Sequence, residues 1–457
     1  MKSFVLKTIA VTLAGMLIFM ASCNFIDPDL NVDPNNPAEV EVNLLLPNTQ
    51  VALSYILGGD FGRYVSIWTQ HHDGIDRQHL AYSVYQIKET EVDNAWNSLY
   101  ATVLSDLKII REKAAESGSP YYAGISKTMT ALTLGTLVDL FNDIPYSQAL
   151  QGADDLTPAY DNAADVYAEI QSLLDGAITD FGSATSTLKP GADDLVFGGN
   201  ISKWKETAQA LKARYYLHLS EHDSNAYGQA LAAVTGAISS NSNNAQVKYA
   251  EATTSNNPWY QFESQRGDVV MGQFFIDLMK SINDPRIAVY ATTNSGGNYK
   301  GSPAGAPITP DSASRMGTLL ASTSSAVPLI TYAEVKFIEA EAALAAGDRA
   351  RAATAHNAAI EASLAYCGVS DAAFVTAQTE TEATISLEKI LTHKYIALYT
   401  TQEPFVDWRR KGIPALQPAS GESRIATRFP YPQSERLYNA ENYKTGVTVF
   451  DKVFWDK

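Results

Sequence analysis

Residues 333–363 read AEVKFIEAEAALAAGDRARAATAHNAAIEAS, two alanine-rich helical runs separated by Gly347 and Asp348. Ala340, Ala352 and Ala359 put small side chains where two helices folded back on each other need close approach, and Gly347 supplies the turn. One helix pair cannot bury its own apolar face, so further pairs must stack on it. The chain is therefore expected to be mainly α. In KWKETAQALKARYYLHLSEH, residues 203–222, the side chains of Trp204, Ala208, Leu211, Tyr215 and Leu219 recur at intervals of three and four, on one helical face. Similar patterns cover 97–116, 121–141, 162–181, 225–239, 330–346, 350–366 and 384–400. Trp96 and Trp204 fall within helical patterns and are expected in the core.

The 333–363 pair is similar to a tetratricopeptide (TPR) repeat, with His356 at a position usually aromatic. Helix pairs are expected over about 97–240 and 330–410. Between them run long irregular stretches, 183–202, 240–266 and 291–328, and loops of that length are commonly functional. They carry NNPWYQF and SGGNYKGSPAGAPITP, aromatics on glycine- and proline-rich backbone. Residues 40–96 and 240–328 are accordingly expected to form a loop-rich binding face.

At the amino end, Lys2 and Lys7 precede an apolar run that closes on Ala21, Ser22 and Cys23. This is the pattern of a secretory signal, and it falls short of the roughly 20 apolar residues that span a bilayer. Cys23 after Ala-Ser resembles a lipobox, which implies removal of residues 1–22 and acylation of the thiol. The segment behind it, NFIDPDLNVDPNNPAEVEVN, is turn-forming and reads as a tether. Asp27, Asp29, Asn31 and Asp33 alternate like the start of a calcium loop, but the glycine and closing glutamate of an EF-hand are missing. The residues favour a turn-forming tether over a calcium site. The other cysteine, Cys367, is expected to be a buried small apolar side chain. A net charge of −16 would repel phosphate backbones, which excludes nucleic acid as a natural partner.

The lipobox Cys23 and the stretches DLFNDIPYSQAL (139–150), NDPRIAVY (283–290), HKYIALYTTQEPFVDWRRKGIP (393–414), RFPYPQSERLYNAENY (428–443) and VFWDK at the end resemble, in this order, the SusD/RagB family of nutrient-binding outer-membrane lipoproteins. The resemblance implies a right-handed TPR-like helical stack with a loop-rich ligand-binding part, no catalysis and no cofactor. It also implies a position on the outer face of the outer membrane, held by lipid, over a SusC-like TonB-dependent transporter that receives oligosaccharide or peptide. Asp27 and Asp29 behind the cysteine resemble the family's surface-export signal. FNDIPY and FPYP read as rigid, aromatic-packed turns. Arg409 and Arg410 of WRRKG are expected at a helix end, where cations suit the macrodipole.

A binder of neutral sugars needs exposed rings beside polar groups. Two regions offer them: RYVSIWTQHHDGIDRQHLAYSVYQ, with Trp68, Gln70, His71, Asp73, Arg77, Tyr82 and Tyr85, and the 256–266 loop, with Trp259, Tyr260 and Arg266. Tyr299 is a further candidate. The rival chemistry is His218, Glu221 and His222, an H-x-x-E-H pattern in which two histidines one turn apart bind zinc. Asp154/Asp155 and Asp193/Asp194 could be read as a glycosidase pair, although adjacent loop aspartates are ordinarily solvated turns. A third reading is a TPR scaffold for protein partners alone.

Overall fold

The computed structural model describes Ser3 and residues 40–456, and the first helix within 40–456 starts at Val42. The leader, the lipobox Cys23 and the tether with Asp27, Asp29, Asn31 and Asp33 lie outside the described residues. Helices α1 (Val42–Gly58) and α2 (Asp60–Trp68) come first, then strand β1 (His72–Gly74), α3 (Arg77–Ser83) and α4 (Glu89–Ser98). Residues 40–96 are thus largely helical, not loop-rich. Their signal is diluted because α1 buries Thr49, Gln50 and Ser54 beside its leucines, and Pro47 interrupts it.

A wide turn over Leu99–Leu104 carries α4 into α5 (Ser105–Ser117), followed by α6 (Pro120–Phe141). A two-residue ladder, β2 (Ile144–Pro145) with β3 (Tyr160–Asp161), leads to α7 (Ala163–Phe181), α8 (Ile201–His218) and α9 (Ala226–Val234). Each of α5 to α9 packs on the next. The chain then leaves the stack for an excursion with β4 (Ala245–Val247), α10 (Pro258–Gln265), β5 (Val269–Met271), α11 (Gln273–Ser281), α12 (Ile287–Tyr290) and β6 (Val327–Ile330). It rejoins at α13 (Tyr332–Ala345), which packs on α9 as if nothing intervened, and on α14 (Arg349–Tyr366). After α15 (Ala372–Gln378) come α16 (Leu387–Ala397), α17 (Glu403–Lys411) and α18 (Gln433–Tyr438).

The α13–α14 contact is made as the alanines require: Ala340, Ala352 and Ala359 are all fully buried. His356 takes the aromatic's place against Phe337 and His393, and burial lowers its pKa to about 4, so it packs as a neutral ring. Two antiparallel ladders tie the excursion down. β4 pairs with β6 at its neck, and β5 pairs with β1 (His72↔Met271, Gly74↔Val269). Trp96, Trp204 and Cys367 are buried. Phe141, Phe429 and Tyr431, from the FNDIPY and FPYP stretches, share one aromatic cluster.

Arg409 and Arg410 lie in the last turn of α17, as expected, and both are buried. Arg410 forks onto Glu341 and holds Asp407, while Arg409 donates to the carbonyls of Asp139 and Thr427 and stacks on Phe405 and Trp455. They pin α17 to the stack.

Candidate functional site: an open groove beside the β1–β5 ladder

An open groove of about 570 Å³ lies where the excursion meets the rest of the molecule, within the size range of ligand sites. One wall is a face of α11, presenting Gln273, Phe274, Asp277, Leu278 and Ser281. The opposite face of that helix buries Phe275, Ile276 and Met279, which fixes its orientation. The other walls are Pro303 and Ala304 from the excursion, Gln417, Pro418 and Ser420 from the loop after α17, and Gln70. Phe274 is half-buried, leaving part of its ring open, while Gln273, Asp277 and Gln417 are exposed.

Three of the residues expected to touch ligand, Gln70, Asp73 and Tyr85, hold these walls in place. Asp73 is 1% exposed; its carboxylate accepts from Ser302 Oγ (2.5 Å) and from the Gly305 N–H (3.0 Å). Burial pushes its pKa up to about 6, against the pull of those hydrogen bonds. The Tyr85 hydroxyl accepts from the Ala419 N–H (2.9 Å), and burial raises its pKa to about 12. Gln70, at a left-handed φ of 62°, donates its amide to the Gln417 carbonyl. The backbone approach is equally tight: a Cβ on Gly301 would lie 2.3 Å from the Gly272 carbonyl oxygen, so only glycine lets the 301–303 segment run beside β5.

The aromatic platforms expected at Trp68 and Trp259 do not exist as surfaces. Trp68 is 1% exposed, its indole N–H donating to the Tyr82 carbonyl and its ring meeting Phe429 edge-on; Trp259 is fully buried against His72. Their size and flatness serve the core. His71 is likewise enclosed, stacked on Tyr395 at 4.2 Å, and burial lowers its pKa to about 3. Tyr82 is buried against Tyr64. Arg77 is half-exposed, pairing with buried Asp268 and reaching the Arg266 carbonyl, so the structure brings Arg77 and Arg266 together away from the groove lining. Tyr260 and Tyr299 are partly exposed but do not line it either.

The zinc pattern also separates. α8 ends at His218, and Leu219–Glu221 forms a tighter turn, so His222 does not follow one α-helical turn later. His218 is buried between Asp139 and Glu403, Glu221 pairs with Lys411, and exposed His222 rests on Phe454. No group of three or more potential ligands assembles among the described residues. Asp194 is a buried structural acceptor for Trp204, Gln50 and Gly199, and Asp193 accepts from Tyr122. Asp155 caps a turn at Thr157. Two deeper cavities between stack and excursion, about 40 and 50 Å³, have room only for a few waters.

The fold and groove together define a helical-repeat binding protein with one face opened by an excursion. The chain belongs to the SusD-like family, described as starch-binding and associating with the outer membrane, which it matches over residues 34–432. That family consists of carbohydrate-binding proteins without catalytic activity. Similar solved structures share the fold: a chitin-binding protein (TM-score 0.80, 23% identity, covering 91% of this chain and 100% of that one) and a chitin-binding SusD homologue from Flavobacterium johnsoniae (0.77, 23%, 91% and 98%). A SusD/RagB family protein from Bacteroides thetaiotaomicron matches comparably (0.77, 22%, 91% and 99%). No curated protein matches the sequence. No described helix is long and apolar enough to cross a membrane.

Proposed function

We propose that this chain is a lipid-anchored surface protein that captures an oligosaccharide in the groove and delivers it to a SusC-like TonB-dependent transporter. The supporting observation is the groove's chemistry. Phe274 offers a ring for the C–H face of a sugar, the exposed amides of Gln273 and Gln417 offer paired donors and acceptors, and Ser281 and Ser420 add hydroxyls. Amides suit N-acetyl groups especially well, and two structural neighbours are described as chitin-binding, so oligomers of N-acetylglucosamine are the first ligands to test. A peptide, whose backbone would meet the same amides, is the alternative ligand.

Removal of residues 1–22 and acylation of Cys23 would hold the protein at the outer membrane, since more than one acyl chain gives stable anchoring. Calorimetry with chitohexaose, maltohexaose and mixed peptides tests the binding reading. Chitohexaose should bind the wild type, with affinity falling about tenfold in Phe274→Ala, the loss of roughly 1.4 kcal/mol of ring contact. Heat from peptide alone would replace the sugar reading, and no heat from any would leave a scaffold for protein partners. Mass spectrometry of the mature amino end tests the anchor, and co-purification with a barrel protein tests the transporter.

A further inference from the structure

Asp277 is the only charged side chain lining the groove among the described residues. It is exposed, and among the described residues no basic group pairs with it and its one hydrogen bond comes from the Gln273 amide, Nε2 to Oδ2 at 3.2 Å. Lys280, three residues on along the same helix, donates to the Tyr299 carbonyl at 3.4 Å. The Asp73 carboxylate, beneath the wall, is already committed to Ser302 and Gly305. A single uncompensated carboxylate beside an open ring therefore faces whatever chain occupies the groove.

We infer that Asp277 makes the groove selective by charge, favouring glycans that carry free amines, such as partly deacetylated N-acetylglucosamine chains, and rejecting uronic-acid or sulfated ones. This rests on the groove reading above and names its substrate class. A sugar ammonium would reach Asp277 while Phe274, three residues earlier on the same helix, takes the ring. An anionic sugar would meet Asp277 with no cation in the lining to offset it. At physiological salt such selection acts only within about 8 Å, so it belongs to this carboxylate and not to the overall negative charge.

The test measures affinities of three hexamers at mildly acidic pH, where sugar amines are protonated: N-acetylglucosamine, glucosamine and galacturonate. The wild type should prefer glucosamine to N-acetylglucosamine hexamer and bind galacturonate least. Asp277→Asn should lower the glucosamine affinity about two- to five-fold per engaged amine, as expected for a partly exposed ion pair, and so erase the preference for glucosamine over N-acetylglucosamine hexamer. Glu116→Gln, which removes the same charge from a remote exposed position, should leave the preference intact. An unchanged preference in Asp277→Asn, or an equal change in Glu116→Gln, overturns the inference while the groove reading stands. If neither amino-sugar hexamer binds, or if Phe274→Ala alters neither affinity, both fail together.

Discussion

Both oxygens of Asp73 are engaged in the groove wall although the residue is 1% exposed: Oδ2 by Ser302 and Oδ1 by the Gly305 amide. Its position makes it a latch on the 302–305 segment, so Asp73→Ala should leave the chain folded yet weaken chitohexaose binding by loosening Pro303 and Ala304, as calorimetry would register. Asp73→Asn, which still offers an acceptor to Gly305, should bind nearly normally. A carboxyl raised from 3.8 to about 6 holds its proton longer when folded than when unfolded. The burial cost of the charge is therefore present above pH 6 and relieved as pH falls through 6 towards 3.8, a difference on the order of 2–3 kcal/mol. Urea unfolding should find Asp73→Asn gaining on the wild type at neutral pH and losing that advantage near pH 4. The same residue explains what sequence reading could and could not recover here. His71, Asp73 and Tyr85 were legible as members of the site's neighbourhood, but a sugar contact and a buried polar brace use identical residue types. Gln273, Phe274 and Asp277 went unnoticed because QFFIDLMKS looks like any short amphipathic helix until its outer face is seen to border a groove.

Helices α6 and α8 cross where Gly135 meets the Tyr215 ring, so closely that a Cβ would sit 2.3 Å from it. In an isolated helix Gly135→Ala would be stabilising by up to about 1 kcal/mol. Here overpacking against a ring already fixed by Tyr167 and His218 costs about 1–3 kcal/mol, and the net effect should be a lower denaturant midpoint. At the end of α8, His218 bridges Asp139 of α6 and Glu403 of α17, with the Tyr167 hydroxyl of α7 also on its Nδ1. Burial alone would lower its pKa, but Asp139 and Glu403 hold it up at about 9. Arg214 and Glu334 complete the charges packed around Glu403. Because unfolded histidine titrates near 6.5, the stability gained from this proton is complete below pH 6.5 and is lost as pH rises through about 9. Unfolding midpoints should fall over that window in the wild type and stay nearly flat in His218→Gln. Helices α7 and α8 declared themselves in the sequence through apolar residues at intervals of three and four. α1 and α2 did not, since they are enclosed on several sides and bury polar groups such as Gln50, which bonds to Asp194.

The groove is assembled from three places far apart along the chain: Gln70 from the amino-terminal helices, Gln273 from the excursion and Gln417 from the loop beyond α17. The stack holds them in register, because α13 resumes on α9 after the excursion and the β1–β5 and β4–β6 ladders fix where the excursion lies. No window of sequence contains that convergence, which is why the helical architecture could be read from periodicity while the site could not. A ligand filling the groove touches all three segments at once and can bind only when they are assembled. It should therefore stabilise the entire fold and not one lobe, by about 2.7 kcal/mol when present at a hundred times its Kd. Thermal scans with chitohexaose should show one transition moving upward as a unit, and Phe274→Ala should need correspondingly more sugar for the same shift. A second transition that stays put while the first moves would mean that the excursion melts independently, and the three walls would then have to be formed by the ligand itself.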